Sequence, residues 1–141
     1  MLTKLFINGH NGFVGRNLLS CLTEKPNYEI ITRGETKKYD GSIDQSVSLP
    51  DQIDWVINLA ARVGVRDSWQ EPENFIKKNS SIALDACDLA RRKNAKLLHV
   101  SSFVYGCVEK SPIDESLQAR ATNPYMASKI ISEEIVRQYC S

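Results

Sequence analysis

The chain is 141 residues long, 42% hydrophobic and 25% charged, with a formal net charge of +1. That length suits one domain around one core and falls short of two, and the near-neutral balance offers no field to gather nucleic acid or an anionic membrane. No apolar run approaches the roughly 18 residues that span a bilayer, and Met1 leads almost at once into a core-like segment rather than a signal sequence.

Leu5-Phe6-Ile7 is a short apolar run leading into a glycine turn, the pattern of a buried parallel strand. From Phe13 onward Val14, Leu18, Leu19 and Leu22 recur at helical spacing, and Pro26 closes the segment. Residues 28–32 carry a second apolar run and Trp55-Val56-Ile57 a third. Between them residues 36–50 are polar, with a short strand expected near Ser42-Ile43. Pro72 suits the first position of a long helix, in which Phe75, Ile76, Ile82, Ala83, Ala86 and Leu89 share one apolar face. Residues 96–100 read as another strand, and Pro124 opens a last helix running to about residue 139. Strands alternating with helices of this length predict an α/β fold: a Rossmann-type, doubly wound parallel sheet with helices on both faces. The four cysteines, Cys21, Cys87, Cys107 and Cys140, are scattered without metal-type spacing. They are expected to be reduced thiols in a cytoplasmic protein.

Gly9-His10-Asn11-Gly12-Phe13-Val14-Gly15 follows the first strand and opens the first helix. In a dinucleotide site the first glycine allows a sharp turn and the second keeps side chains away from the pyrophosphate. The third brings helix and strand close together. Phosphate oxygens would then meet the amides at the positive end of the helix dipole. His10 and Asn11 could also reach the phosphates, or simply line the turn. A free ribose 2′-hydroxyl usually meets an acid about 20 residues past such a turn. Here the segment reads Ile31-Thr32-Arg33-Gly34, so Arg33 favours the 2′-phosphate of NADP over NAD. Glu35 would take the ribose role if the strand ended later, and Arg33 would then be a solvated loop residue.

Tyr125-Met126-Ala127-Ser128-Lys129 places a phenol and an ammonium four apart on one helical face. A cation about 4 Å from the phenol, at an effective dielectric of about 20, would lower its pKa by roughly three units. That would bring Tyr125 into the range for acid/base exchange with a hydroxyl or keto oxygen. Upstream, Ser101-Ser102-Phe103-Val104-Tyr105-Gly106 follows the strand at 96–100, at the carboxyl edge where ligands of open α/β sheets bind. Either serine could hydrogen-bond the substrate oxygen. Counting four residues back from Tyr105 selects Ser101.

These motifs, with Val56-Ile57-Asn58-Leu59-Ala60-Ala61, Glu71-Pro72 and Asn79, resemble the extended short-chain dehydrogenase/reductases, the NAD(P)-dependent epimerase/dehydratase family. The resemblance implies an oxidoreductase or isomerase acting on a nucleotide sugar. Tyr125 would be the acid/base, Lys129 would tune it and hold the cofactor ribose, and Ser101 would orient the substrate oxygen. It implies further that Leu59, Ala60 and Ala61 pass beside the cofactor and that Asn79 is a structural or proton-relay residue. A homodimer is implied as well. The glycine turn and Thr32-Arg33 look most like the GDP-fucose synthase branch, which carries an acid/base cysteine where this chain has Phe103. Family members usually run to about 300 residues, a length that adds a substrate domain. The chain is therefore expected to be an incomplete dinucleotide-binding domain, residues 1–141. Its edge strand and the apolar face of the last helix, including Ile130, Ile131, Ile135 and Val136, should be partly uncovered. The competing reading is a non-catalytic dinucleotide-binding or redox-sensing module.

Overall fold

The apolar run at residues 5–7 lies within a strand flanked on both sides. In the computed structural model, which describes residues 2–32, 41, 43, 48–103, 106 and 112–139, eight elements follow one another. They are β1 (Thr3–Asn8), α1 (Phe13–Thr23), β2 (Tyr28–Thr32), β3 (Trp55–Asn58), α2 (Val65–Gln70), α3 (Pro72–Lys93), β4 (Lys96–His99) and α4 (Pro124–Tyr139). All but α2 were anticipated. Ile43 lies in no strand, although its side chain is buried in the core; Ser42 falls outside the described residues.

The strands pair in parallel in the order β2-β1-β3-β4. The chain moves outward from β1 to β2 and, in the opposite direction, from β3 to β4. Right-handed crossovers therefore put α1 and α3 on opposite faces, which is the doubly wound arrangement. The register aligns Ile31, Phe6, Val56 and Leu97 as one apolar row across the sheet. That row packs against Ala86, Leu89 and Ala90 of α3, with Ile43 and Ile53 completing the cluster. Each large apolar side chain so buried contributes about 2 kcal/mol. Pro72 occupies the first turn of α3, and Asn94, in the left-handed region at φ 49°, closes the helix at its C-cap.

Two residues further along each strand, on the same face, the row changes character. Phe6, Val56 and Leu97 give way to Asn8, Asn58 and His99, which the register also aligns. The carboxyl edge of the sheet is thus floored by amides and an imidazole. The last helix, α4, packs alongside α3; it leaves Ile131 exposed, with Ile130, Ile135 and Val136 half-buried. Beyond the sheet's pairing edge, Leu98 and Val100 are also exposed. No described helix is long and apolar enough to cross a membrane.

Candidate functional site

Between β1 and β3 the strand order reverses, and the loops leaving their carboxyl ends diverge around a crevice. A cleft of ≈520 Å³ opens there between Gly9 and Gly12 on one side and Leu59, Ala60 and Ala61 on the other. Each glycine of the turn does a distinct job. Gly9 sits at φ +84°, and a Cβ on it would lie 2.6 Å from the backbone nitrogen of Ala60. A Cβ on Gly15 would lie 2.3 Å from the carbonyl oxygen of Gly9 and 2.6 Å from the Cα of His10. Gly12 is different: it is exposed, and the Gly9 oxygen at 3.3 Å is the sole neighbour a Cβ would meet. Gly12 is also the N-cap of α1, with no side chain capping the helix. The amides of Phe13, Val14 and Gly15 have no intrahelical acceptor and are suited to an anion. Asn11 lies exposed in the turn, as do Phe13 and Val14 at the start of α1. Arg33, Glu35 and Tyr105 fall outside the described residues.

The far wall of the cleft includes Arg62, Asn74 and Lys78, none of which belongs to a recognisable motif. The Arg62 guanidinium lies 3.0 Å from Glu71 and stacks 4.5 Å from the centre of the Phe75 ring. Hydrogen bonding from Asn74, then from Arg62, holds the Glu71 carboxyl below the usual carboxylate range.

Asn79 is buried in α3, and its side chain works inside the protein. Its Oδ1 accepts from the Arg62 amide at 2.7 Å, and its Nδ2 donates to the Arg62 carbonyl at 3.1 Å and to Ser128 Oγ at 2.7 Å. Ser128 donates in turn to the Tyr125 carbonyl, and the single proton of Ser132 is shared between the Ser128 carbonyl at 2.8 Å and the Asn79 carbonyl at 3.2 Å. One amide therefore ties the wall of the cleft to both α3 and α4.

Along the floor, Asn8 Nδ2 donates to Asn58 Oδ1 at 2.9 Å and to the Gly41 carbonyl at 3.0 Å, and Asn58 Nδ2 pairs with His99 Nδ1 at 2.9 Å. Since Asn58 Oδ1 is already taken, its amino group donates and His99 Nδ1 accepts, which leaves the neutral ring's proton on Nε2. Burial, and then the Lys129 charge, lower the His99 pKa from 6.5 to about 4. The unfolded chain thus takes up this proton near pH 6.5 and the folded chain near pH 4. Stability is full above about 6.5 and declines as pH falls toward 4. Thermal midpoints measured from pH 7 to 4.5 should fall through this window, and His99→Gln, which can still accept from Asn58, should flatten the slope. Equal slopes in the two proteins would refute the assignment.

The Tyr125-to-Lys129 pair lies on α4, as expected. The Tyr125 ring is half-buried, edge-on to Phe75 with centroids 6.4 Å apart. Lys129 is 2% exposed, and its Nζ donates to the Val100 carbonyl just beyond β4 at 2.9 Å. Burial lowers its pKa, and Glu133 opposes that shift. The Ser101 hydroxyl donates to the carboxylate of Glu133, a residue that the sequence motifs did not single out. Ser102 is half-buried beside it, and Phe103 is exposed. Cys21 and Cys87 are free thiols, and no metal-binding group of His, Cys, Asp or Glu occurs among the described residues.

Comparison with known proteins accords with this geometry. A model of the NAD dependent epimerase/dehydratase family matches residues 5–141. The GDP-6-deoxy-D-talose 4-dehydrogenase of Aggregatibacter actinomycetemcomitans is 30% identical over 96% of this chain and 48% of its own length. For the GDP-L-fucose synthase of Escherichia coli the figures are 29%, 96% and 46%. Among solved structures, RMD from Pseudomonas aeruginosa complexed with NADPH superposes with a TM-score of 0.76 at 26% identity, covering 97% of this chain and 49% of that one. The chain thus spans about half the length of the relatives it matches.

Proposed function

Since the chain belongs to the NAD dependent epimerase/dehydratase family, we propose that it forms the dinucleotide-binding part of an NAD(P)-dependent oxidoreductase or isomerase acting on a nucleotide sugar. The observation that carries this reading is the cleft at the strand-order reversal, where the uncapped N-terminus of α1 meets the bare face of Gly12. A diphosphate fits there because Gly12 leaves open the space that a side chain would fill. Leu59, Ala60 and Ala61 would flank the rest of the cofactor, with Arg62 and Lys78 adding positive charge to the far wall.

A bound nicotinamide dinucleotide would supply the group that exchanges a hydride with a sugar carbon. Tyr125 would move the proton at the reacting oxygen. Lys129 has three N–H donors and commits one to Val100, leaving donors for ribose hydroxyls. NADP is the preferred cofactor on the strength of Arg33; among similar solved structures, RMD from Pseudomonas aeruginosa holds NADPH and the UDP-glucose 4-epimerase from Bifidobacterium longum holds NAD+. The proposal extends to a homodimer, supported by the apolar Leu84 and Ile131 left exposed on α3 and α4.

Calorimetric titration of the chain with NADPH and with NADH tests this reading. Binding is expected for both, tighter for NADPH. Gly12→Asp should keep or strengthen α1, because aspartate is a favourable N-cap. The same carboxylate would stand where the diphosphate goes, and affinity should fall at least about tenfold, or roughly 1.4 kcal/mol. No heat with either dinucleotide would refute the proposal.

A further inference from the structure

We infer that Glu133 is a positioning residue of this site: its carboxylate accepts the Ser101 hydroxyl beyond β4 and stands as countercharge to Lys129, one turn earlier on α4. The inference rests on the reading of Ser101 and Lys129 as working groups of the proposed reaction.

The hydrogen bond from Ser101 Oγ to Glu133 Oε1 joins residues 32 apart in the chain. A carboxylate can only accept, and a hydroxyl has one proton to give. With that proton committed to Glu133, the Ser101 oxygen offers lone pairs alone to any further partner. Ser101 would then orient a donor, such as the Tyr125 phenol or a sugar hydroxyl, rather than polarise a carbonyl. Glu133 thereby sets the direction in which the serine hydrogen-bonds.

The second role follows from burial. Lys129 is almost wholly removed from solvent, and a buried ammonium needs an opposite charge nearby. The residue four positions on shares its helical face; Glu133 is held there by Ser101 rather than by a direct ion pair with Lys129, and its charge favours the ammonium against desolvation from beyond contact distance. Among the described residues, the other titratable group coupled to Lys129 is His99 of β4, which is neutral above about pH 4 and supplies no countercharge. A Glu133 that merely fastened α4 to the strand end would have no hold on the proton of Lys129.

Side-chain NMR correlating Cε with Nζ in the labelled chain reads that proton directly, with the Lys129 signal identified by its loss in Lys129→Arg. Glu133→Gln keeps the volume and a carbonyl acceptor for Ser101 but removes the charge. Its Lys129 midpoint should fall by about one pH unit, a tenfold loss of proton affinity. Glu133→Asp, which restores a carboxylate, should recover most of the difference. Should Glu133→Gln fail to fold, Glu133→Ala serves the same comparison. A midpoint that moves by less than about a third of a unit in a folded, neutral variant overturns the role of Glu133. Titrating NADPH into the same samples separates the two proposals. A parent chain that binds no dinucleotide overturns the function, whereas an unmoved midpoint in a variant that still binds overturns this inference alone.

Discussion

Gly15→Ala is expected to destabilise the chain by about 1–2 kcal/mol, although the same change at an exposed helical position would stabilise it. Alanine is favoured over glycine inside a helix by about 1 kcal/mol, and Gly15 lies in α1 with no positive φ. Against that gain stands the backbone of the turn. The new methyl would sit 2.3 Å from the Gly9 oxygen and within 2.7 Å of two His10 backbone atoms. None of these is the far end of a flexible side chain, so relief requires the helix to move away from the strand. Overpacking of this kind costs about 1–3 kcal/mol or more, and here it exceeds the propensity term. The displaced helix would also carry its N-terminus, Gly12 included, away from Leu59, Ala60 and Ala61 across the cleft, so on the proposed function dinucleotide affinity should fall alongside stability. Urea unfolding at pH 7 measures the first effect and calorimetry the second. A variant more stable than the parent would show that the approach of α1 to β1 is looser than described.

Asn79→Ala should cost about 3 kcal/mol, because three hydrogen bonds end on one buried amide. Its removal leaves the N–H and carbonyl of Arg62 without their partner and takes a donor from Ser128. Leaving buried polar groups unpaired costs about 1–3 kcal/mol each, with water entry offsetting part of the sum. Asn79→Asp sharpens the argument. It keeps the acceptor for the Arg62 amide but turns a second acceptor toward the Arg62 carbonyl. It also faces Ser128 Oγ, whose proton already goes to the Tyr125 carbonyl. It should therefore be no more stable than Asn79→Ala, despite its near-identical shape. Unfolding free energies within about 0.5 kcal/mol of the parent for either variant would refute the role assigned to this side chain.

Local chemistry made much of this fold legible in the sequence. The apolar run before Gly9, Pro72 at a helix start and Pro124 at another each act within a few residues, and the elements they predict are present. The six-residue α2 was missed because it has neither strong periodicity nor a side-chain cap, and it leaves Val65 and Trp69 exposed. The polar row at the carboxyl ends of the strands was hidden for a different reason. Asn8, Asn58 and His99 each look like a polar residue ending an apolar strand, and strand order and register alone reveal them as a row. A signal was present: each follows by two a core residue of its own strand. The partnership of Ser101 with Glu133 had no such signal, since nothing local links a strand end to the second turn past Tyr125. Within the candidate site, the tight turn from Gly9 to Gly15 was therefore readable from glycine spacing, while the side-chain bonds needed the tertiary arrangement.

That row across the strand ends also bears on ligand entry. Directional amide bonds lace β1 to β3 and β3 to β4 at their carboxyl ends, so the ordering entropy of this row is lost when the chain folds. The loops that leave these strand ends therefore start from a base that is already rigid, and a molecule bound between them would lose little free energy to ordering it.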